Sequence, residues 1–191
     1  MTRIVASVVE GHGEVKALPE LLRRIAYGAG IYEIDVRPPH RLGRDQMRST
    51  KVRDAVRIQR ASLVERGGAG VVVVLYDSDD DDPTECVEAT RAALEGQEAV
   101  VAVAVREYEA WFLAGIESLR RHKEVLDDAS YSKDPEAKRG AKEALQEQMT
   151  GKYVKRHQVA FSSILDLDAT ARRSPSFARF REQLLTALEA A

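Results

Sequence analysis

Residues 71–76, VVVVLY, constrain the fold more than any other stretch of this chain. The run is apolar and rich in β-branched residues, with no polar alternation. A strand with one wet face would alternate, so both faces of this one must be buried, as in a parallel sheet covered by helices on both sides. Residues 99–105, AVVAVAV, repeat the pattern, and Arg3–Val9, RIVASVV, is a further run of the same kind. Residues 31–39, IYEIDVRPP, do alternate and stop at two prolines, which predicts another strand nearer an edge.

Helical spacing fills the intervals. After the first strand, VKALPELLRRIAYGAG places Leu18, Leu21, Leu22 and Ile25 on one face. Pro19 is expected in its first turn, and Gly28 and Gly30 end it. Residues 41–49, RLGRDQMRS, read as a basic loop. Thr50 then caps a helix to about Arg66 that stops at Gly67 and Gly68. Residues 84–94 form another helix, and a fourth begins near Glu107. Four strand–helix repeats predict an α/β fold, a mainly parallel four-stranded sheet with helices on both faces. Beyond Leu126 the chain turns polar over DDASYSKDPEAKRG, then helical over 137–149, from His157, and over 174–190. The expected division is an α/β domain at 1–125 and a helical extension at 126–191, packed on the same domain at an edge of the sheet.

Composition excludes several classes. With 44% hydrophobic and 31% charged residues in 191, the chain has enough apolar material for one core. A net charge of −2 provides no global basic field, so any nucleic-acid contact must use a local basic patch or a bound cation. The one cysteine, Cys86, rules out an intrachain disulfide framework and a cysteine-rich zinc site. The start, MTRIVASVVEG, lacks the apolar run of a secretion signal, and no stretch approaches the ~20 residues that span a bilayer. A cytoplasmic location without membrane contact is expected.

The chemistry sits where strands end. In open α/β sheets, ligands bind beyond the carboxyl ends of the strands. The first strand delivers Glu10 and then Glu14, and the VVVVLY strand delivers Asp77 and Asp79. Adjacent strands lie ~5 Å apart, so these carboxylates converge and repel one another unless a hard cation such as Mg²⁺ or Mn²⁺ relieves the repulsion. A lone acidic loop is commonly a solvated turn, and Asp80, Asp81 and Asp82 read that way or as charges at the next helix start. The pairing of EGHGE with DSD is what points to a metal site. Glu109, after the fourth strand, is a further metal or water-positioning carboxylate, whereas Trp111, Phe112 and Leu113 beside it read as core. His12, between the two glutamates, reads as exposed.

EGHGE after a first strand and YDSDDDD after a later one resemble the Toprim domain shared by topoisomerases, primases, recombination-mediator proteins and overcoming-lysogenization-defect nucleases. The second glutamate is most similar to the variant in those nucleases. VEGHGE, LYDSDDD, REYEAWFLA and GKYVKRHQ together resemble a bacterial family of stand-alone Toprim-like proteins. The resemblance implies a Toprim-like Rossmannoid fold with Glu10, Glu14, Asp77 and Asp79 as ligands of Mg or Mn, and the position of Glu109 after the fourth strand adds it as an extra ligand. The resemblance also implies a lysine near the metals, here Lys152 or Lys155 of GKYVKRHQ, with the choice open. Arg41 and Arg44 are a second phosphate-contacting pair.

The expected function is therefore a metal-dependent phosphodiester-acting hydrolase, a nuclease or nickase. Its catalytic residues would be Glu10, Glu14, Lys152 and Lys155, and its partner nucleic acid, DNA before RNA. Two alternatives remain open: a non-catalytic metal- or nucleotide-binding module serving a partner ATPase, and a nucleotidyl transferase.

Overall fold

The apolar runs become strands whose faces are covered on both sides. The computed structural model describes residues 2–65, 70–137 and 139–191. Strands β1 (Arg3–Val9), β2 (Ile34–Val36), β3 (His40–Arg41), β4 (Gly70–Asp77) and β5 (Val100–Ala104) form one five-stranded sheet in which every pairing is parallel. The order is β2-β1-β4-β5, and β3 continues the β2 side of β1, against Val8 and Val9.

The winding decides which helix covers which face. From β1 the chain runs through α1 (Glu14–Gly28) to β2 on one side. It returns through α2 (Thr50–Val64) to β4 on the other side of β1, then through α3 (Pro83–Ala93) to β5. Right-handed crossovers in opposite directions place their helices on opposite faces. Accordingly Ile4, Ala6, Val8, Val72, Val74, Tyr76, Val101 and Val103 pack with residues of α2 and α3. Val5, Val9, Val71, Val73, Leu75, Val100 and Ala102 face α1.

One helix cannot cover that second face. The rest of the layer comes from α4 (Glu109–Ala114), α5 (Ile116–Leu119), α6 (Ala141–Glu147), α7 (Lys155–Ile164), α8 (Leu167–Arg173) and α9 (Pro175–Ala190). Helix α9 lies against β5 and β4, and α7 against α1. Trp111 stacks on Phe180 with ring centroids 5.5 Å apart, and its indole N–H donates to Ser176 Oγ at 2.8 Å. The C-terminal helices thus complete a face of the sheet; they do not sit at its edge, because β4 and β5 would otherwise leave an apolar surface bare.

Several local expectations change. Residues 41–49 are ordered as β3 and a 3₁₀ turn, Arg44–Gln46. Ser49, not Thr50, caps α2, its hydroxyl accepting from the Lys51 N–H at 3.3 Å. The expected end of that helix, Arg66, Gly67 and Gly68, lies outside the described residues. Helix α1 starts at Glu14, so Pro19 stands in its second turn, where its ring removes a hydrogen bond and costs ~3 kcal/mol. Burial of Leu18, Leu21, Leu22 and Ile25 offsets that cost. Helix α6 begins only after Gly140, at φ +101°, a value no helix contains. Among the described residues, no helix is long and apolar enough to cross a membrane.

Candidate functional site

Three parallel strands end side by side, and the residues that leave them are acidic. Val9 pairs with Leu75, and Asp77 with Ala104, so Glu10 leaves β1 next to the end of β4, with β5 on the far side of Asp77. Glu14 is the first residue of α1 and Glu109 the first of α4. The winding reverses between β1 and β4, and such a switch point leaves a crevice at the carboxyl ends of the strands.

The inner part of this crevice is buried. Glu14 and Glu109 are each 8% exposed, and between them lies the side chain of Gln158, 7% exposed, from α7. Its Nε2 donates to Glu14 Oε1 at 3.3 Å and to Glu109 Oε1 at 3.1 Å. Both glycines of EGHGE leave room for these side-chain ends in their present positions. A Cβ on Gly11 would stand 1.8 Å from Glu14 Oε2, and one on Gly13 would stand 1.3 Å from Gln158 Oε1. Close approach, not an unusual φ, makes these positions glycine.

Crowded, desolvated carboxylates resist ionisation. Asp77 keeps part of its surface open, but its carboxyl lies deep among protein atoms. Burial first, then the charges of Glu14, Glu109, Glu10 and Asp79, hold it well above the usual carboxylate range. Burial also raises Glu14 and Glu109, and raises Glu10 against the opposing pull of Arg44. The buried Tyr153 hydroxyl faces Glu109 and is pushed up as well, by burial and by that charge.

Hydrogen bonding here is incomplete. Among the described residues, the buried side-chain polar atoms without a partner are Ser7 Oγ, Glu10 Oε2, Glu14 Oε2, Tyr153 Oη and Gln158 Oε1. Glu10 Oε2, Glu14 Oε2 and Gln158 Oε1 belong to this cluster, whereas the Tyr153 hydroxyl, short of strict hydrogen-bond geometry, is still turned to the Glu109 carboxylate and pulls its pKa down against burial. Each such atom costs about 1–3 kcal/mol, so native proteins keep few of them. Two of them are carboxylate oxygens, the ligand type that hard cations take.

The outer rim is held by arginines. Asp79, at φ +49°, pairs with Arg44 at 2.5 Å and with Arg139 at 2.7 Å. Arg44 also donates to the carbonyls of Asp77 and Ser78 at 2.9 Å each and to Asp81 at 3.0 Å. Arg48 reaches Asp81 at 2.8 Å, and Arg139 reaches Asp80 at 2.9 Å. Asp82 caps α3, accepting from the Thr84 and Glu85 N–H groups at 2.8 and 3.1 Å. Glu107 points away and accepts from the N–H groups of Gly140 and Lys142 at the start of α6.

The structure therefore gathers Glu10, Glu14, Asp77 and Glu109 and ties Asp79 to arginine. Among the described residues, no three histidine, cysteine, aspartate or glutamate side chains stand as a ready coordination shell. Arg44 is saturated by protein acceptors and is not free for a phosphate. Exposed Arg41 donates to the Glu10 carbonyl at 3.3 Å. Lys152 and Lys155 are exposed on the segment entering α7, and His12 is exposed beside Gly11. The clefts of about 350 and 580 Å³ lined by α3, β5 and α9 residues, or by the strand beginnings, are elsewhere and contain none of these carboxylates.

Sequence reasoning missed Gln158, Tyr153 and Arg139. GKYVKRHQ drew attention for its basic residues, yet its buried side is Tyr153, His157 and Gln158. The available signal was the helical spacing of His157, Gln158 and Phe161, which puts a glutamine on a stripe otherwise destined for the core. Nothing local marks Arg139, whose partners lie about sixty residues away.

A family model described as Domain of unknown function (DUF4276) matches residues 9–185, a span that takes in every carboxylate of the site and all of α7. No curated protein and no solved structure matches the chain.

Proposed function

The chain belongs to the DUF4276 family, and we propose that it binds a divalent cation, Mg²⁺ or Mn²⁺, at Glu10, Glu14, Asp77 and Glu109 and uses it on phosphodiester bonds of nucleic acid, DNA before RNA. One observation carries the reading. Four acids from three strand ends meet in a desolvated crevice and leave buried carboxylate oxygens without a donor. Asp79 joins the set once Arg44 and Arg139 release it. The likeness of VEGHGE and LYDSDDD to Toprim motifs supports the same assignment.

When bound, a divalent cation neutralises charge on the phosphate and lowers the pKa of a ligated water. The chain's own part follows from charge and position. Glu10 or Glu14 accepts a proton from the attacking water as its oxygen bonds phosphorus and the bond to the leaving oxygen breaks. Lys152 or Lys155, exposed and without an ion-pair partner among the described residues, sets a positive charge against the developing phosphorane.

Calorimetric titration with Mn²⁺ is the first test: wild type should bind and Asp77→Asn should bind at least about tenfold more weakly. Nicking of supercoiled plasmid in Mg²⁺ or Mn²⁺, abolished by EDTA and by Asp79→Asn, tests the chemistry. Equal Mn²⁺ binding by wild type and Asp77→Asn would count against the site. Intact plasmid, linear DNA, single strands and RNA would leave binding without turnover. One observation favours that second reading, a metal-binding module serving a partner ATPase. The arginines nearest the acids are spent on Asp79, Asp80 and Asp81, leaving few positive groups for a free nucleic acid.

A further inference from the structure

We propose that Gln158 is an exchangeable ligand: its amide bridges Glu14 and Glu109 when no cation is present and turns its carbonyl oxygen to the cation when one binds. The inference rests on the metal-binding reading and names a residue that reading does not include.

One carboxamide has two unlike ends. Nε2 and Oε1 are almost the same size and differ in polarity, so a half-turn about the last side-chain bond exchanges donor for acceptor without repacking. In the present state the donor end satisfies two buried carboxylates. The acceptor end is pressed against Gly13, buried and without any donor. A carbonyl is left orphaned here because two acids compete for the amide protons. A cation that takes over the charge of Glu14 and Glu109 removes that competition and offers the orphaned oxygen a partner. Carboxamide oxygens are ordinary ligands of hard cations.

The backbone around Gln158 is held firmly, so the movement is confined to the side chain. The neighbouring His157 is buried, and its Nδ1 accepts from the Val154 N–H at 2.9 Å, which leaves Nε2 to donate to Glu124 Oε2 at 3.0 Å. The Tyr153, His157 and Phe161 rings pack mutually, with centroids 5.5–6.1 Å apart. Helix α7 packs against α1, which carries Glu14. The amide is thus presented to both carboxylates from a fixed helix, with only its terminal torsion free to respond.

Two measurements test this. The first follows the Gln158 side-chain amide by ¹H–¹⁵N spectroscopy of the wild-type protein, with the diamagnetic ion Mg²⁺ as probe. The pair should exchange slowly and resonate downfield without Mg²⁺, and move upfield at saturation as its bonds to the carboxylates are lost. The second compares thermal midpoints and Mn²⁺ calorimetry for Gln158→Glu and Gln158→Leu. Gln158→Glu places a third carboxylate between two, so its midpoint should fall without Mn²⁺ and rise with Mn²⁺ by more than wild type does. Gln158→Leu should bind Mn²⁺ about tenfold more weakly, having lost the oxygen. If wild type binds neither ion, the metal-binding reading fails and this one with it. If wild type binds and Asp77→Asn does not, yet the amide pair stays in place and Gln158→Leu binds as tightly as wild type, the exchange alone is overturned. Should Gln158→Glu not fold, the wild-type spectrum still decides.

Discussion

At the scale of single residues, the site is costly to maintain, and the cost depends on pH. Asp77 is a carboxyl whose folded-state pKa lies above its unfolded one, raised by burial and by Glu14, Glu109, Glu10 and Asp79. Such a group binds its proton more tightly in the folded protein. Stability is therefore fullest below the unfolded pKa, about 4, and falls as pH rises through the raised folded value. Protein without a bound cation should therefore lose stability as pH rises above about 4, the unfolded value. Asp77→Asn removes the titration. Its thermal midpoint at neutral pH should exceed that of wild type, and the pH profile of the midpoint should flatten. A variant less stable than wild type at pH 7 without metal would contradict the account. The same substitution, proposed above to weaken cation binding, is thus expected to stabilise the fold.

At the scale of elements, four consecutive aspartates have different jobs. Asp79 is tied to Arg44 and Arg139, Asp80 to Arg139, and Asp81 to Arg44 and Arg48, while Asp82 caps α3. Capping needs an acceptor and not a charge. Asp82→Asn should therefore leave stability within a few tenths of a kcal/mol, whereas Asp82→Ala should cost about 1 kcal/mol. Denaturant midpoints will show the difference, and Mn²⁺ affinity should be unchanged in both. A large loss of Mn²⁺ binding in Asp82→Asn would move this residue into the site. The reading of residues 80–82 as turn or helix-start charges holds for Asp82 in this sense. For Asp80 and Asp81 no sequence pattern revealed the arginine partners, because Arg44, Arg48 and Arg139 are distant along the chain.

At the scale of the whole molecule, the last helix belongs to the core. Phe177, Phe180, Leu184 and Leu188 of α9 are all at most 1% exposed and pack in the cluster that contains β4, β5 and Trp111. At about 1.5–3 kcal/mol for each buried side chain, their contribution is comparable to the total stability of a domain this size. Removing residues 175–191 should leave a chain without a cooperative thermal transition and with exposed apolar surface that binds a hydrophobic dye. A truncated protein that melts cooperatively near the wild-type midpoint would show that the first 174 residues fold alone.

The sequence by itself determined the parallel α/β sheet, the strands of residues 3–9 and 71–76 nearly to their ends, and the acids at their carboxyl ends. These are local or periodic signals. An unalternated β-branched run demands two covered faces, and strand ends in such a sheet must share one edge. Tertiary structure alone decided what those acids touch. Gln158 reaches Glu14 from 144 residues away, Arg139 reaches Asp79 from 60, and α9 returns to cover β4 and β5. Each is a pairing between remote segments, and it exists because buried charge must find a counter-charge or a donor wherever the folded chain brings one within reach. Gly11 and Gly13 stand between the two kinds of information. They are visible in the sequence as a broken turn, and they are explained only by the carboxylate and the amide pressed against them.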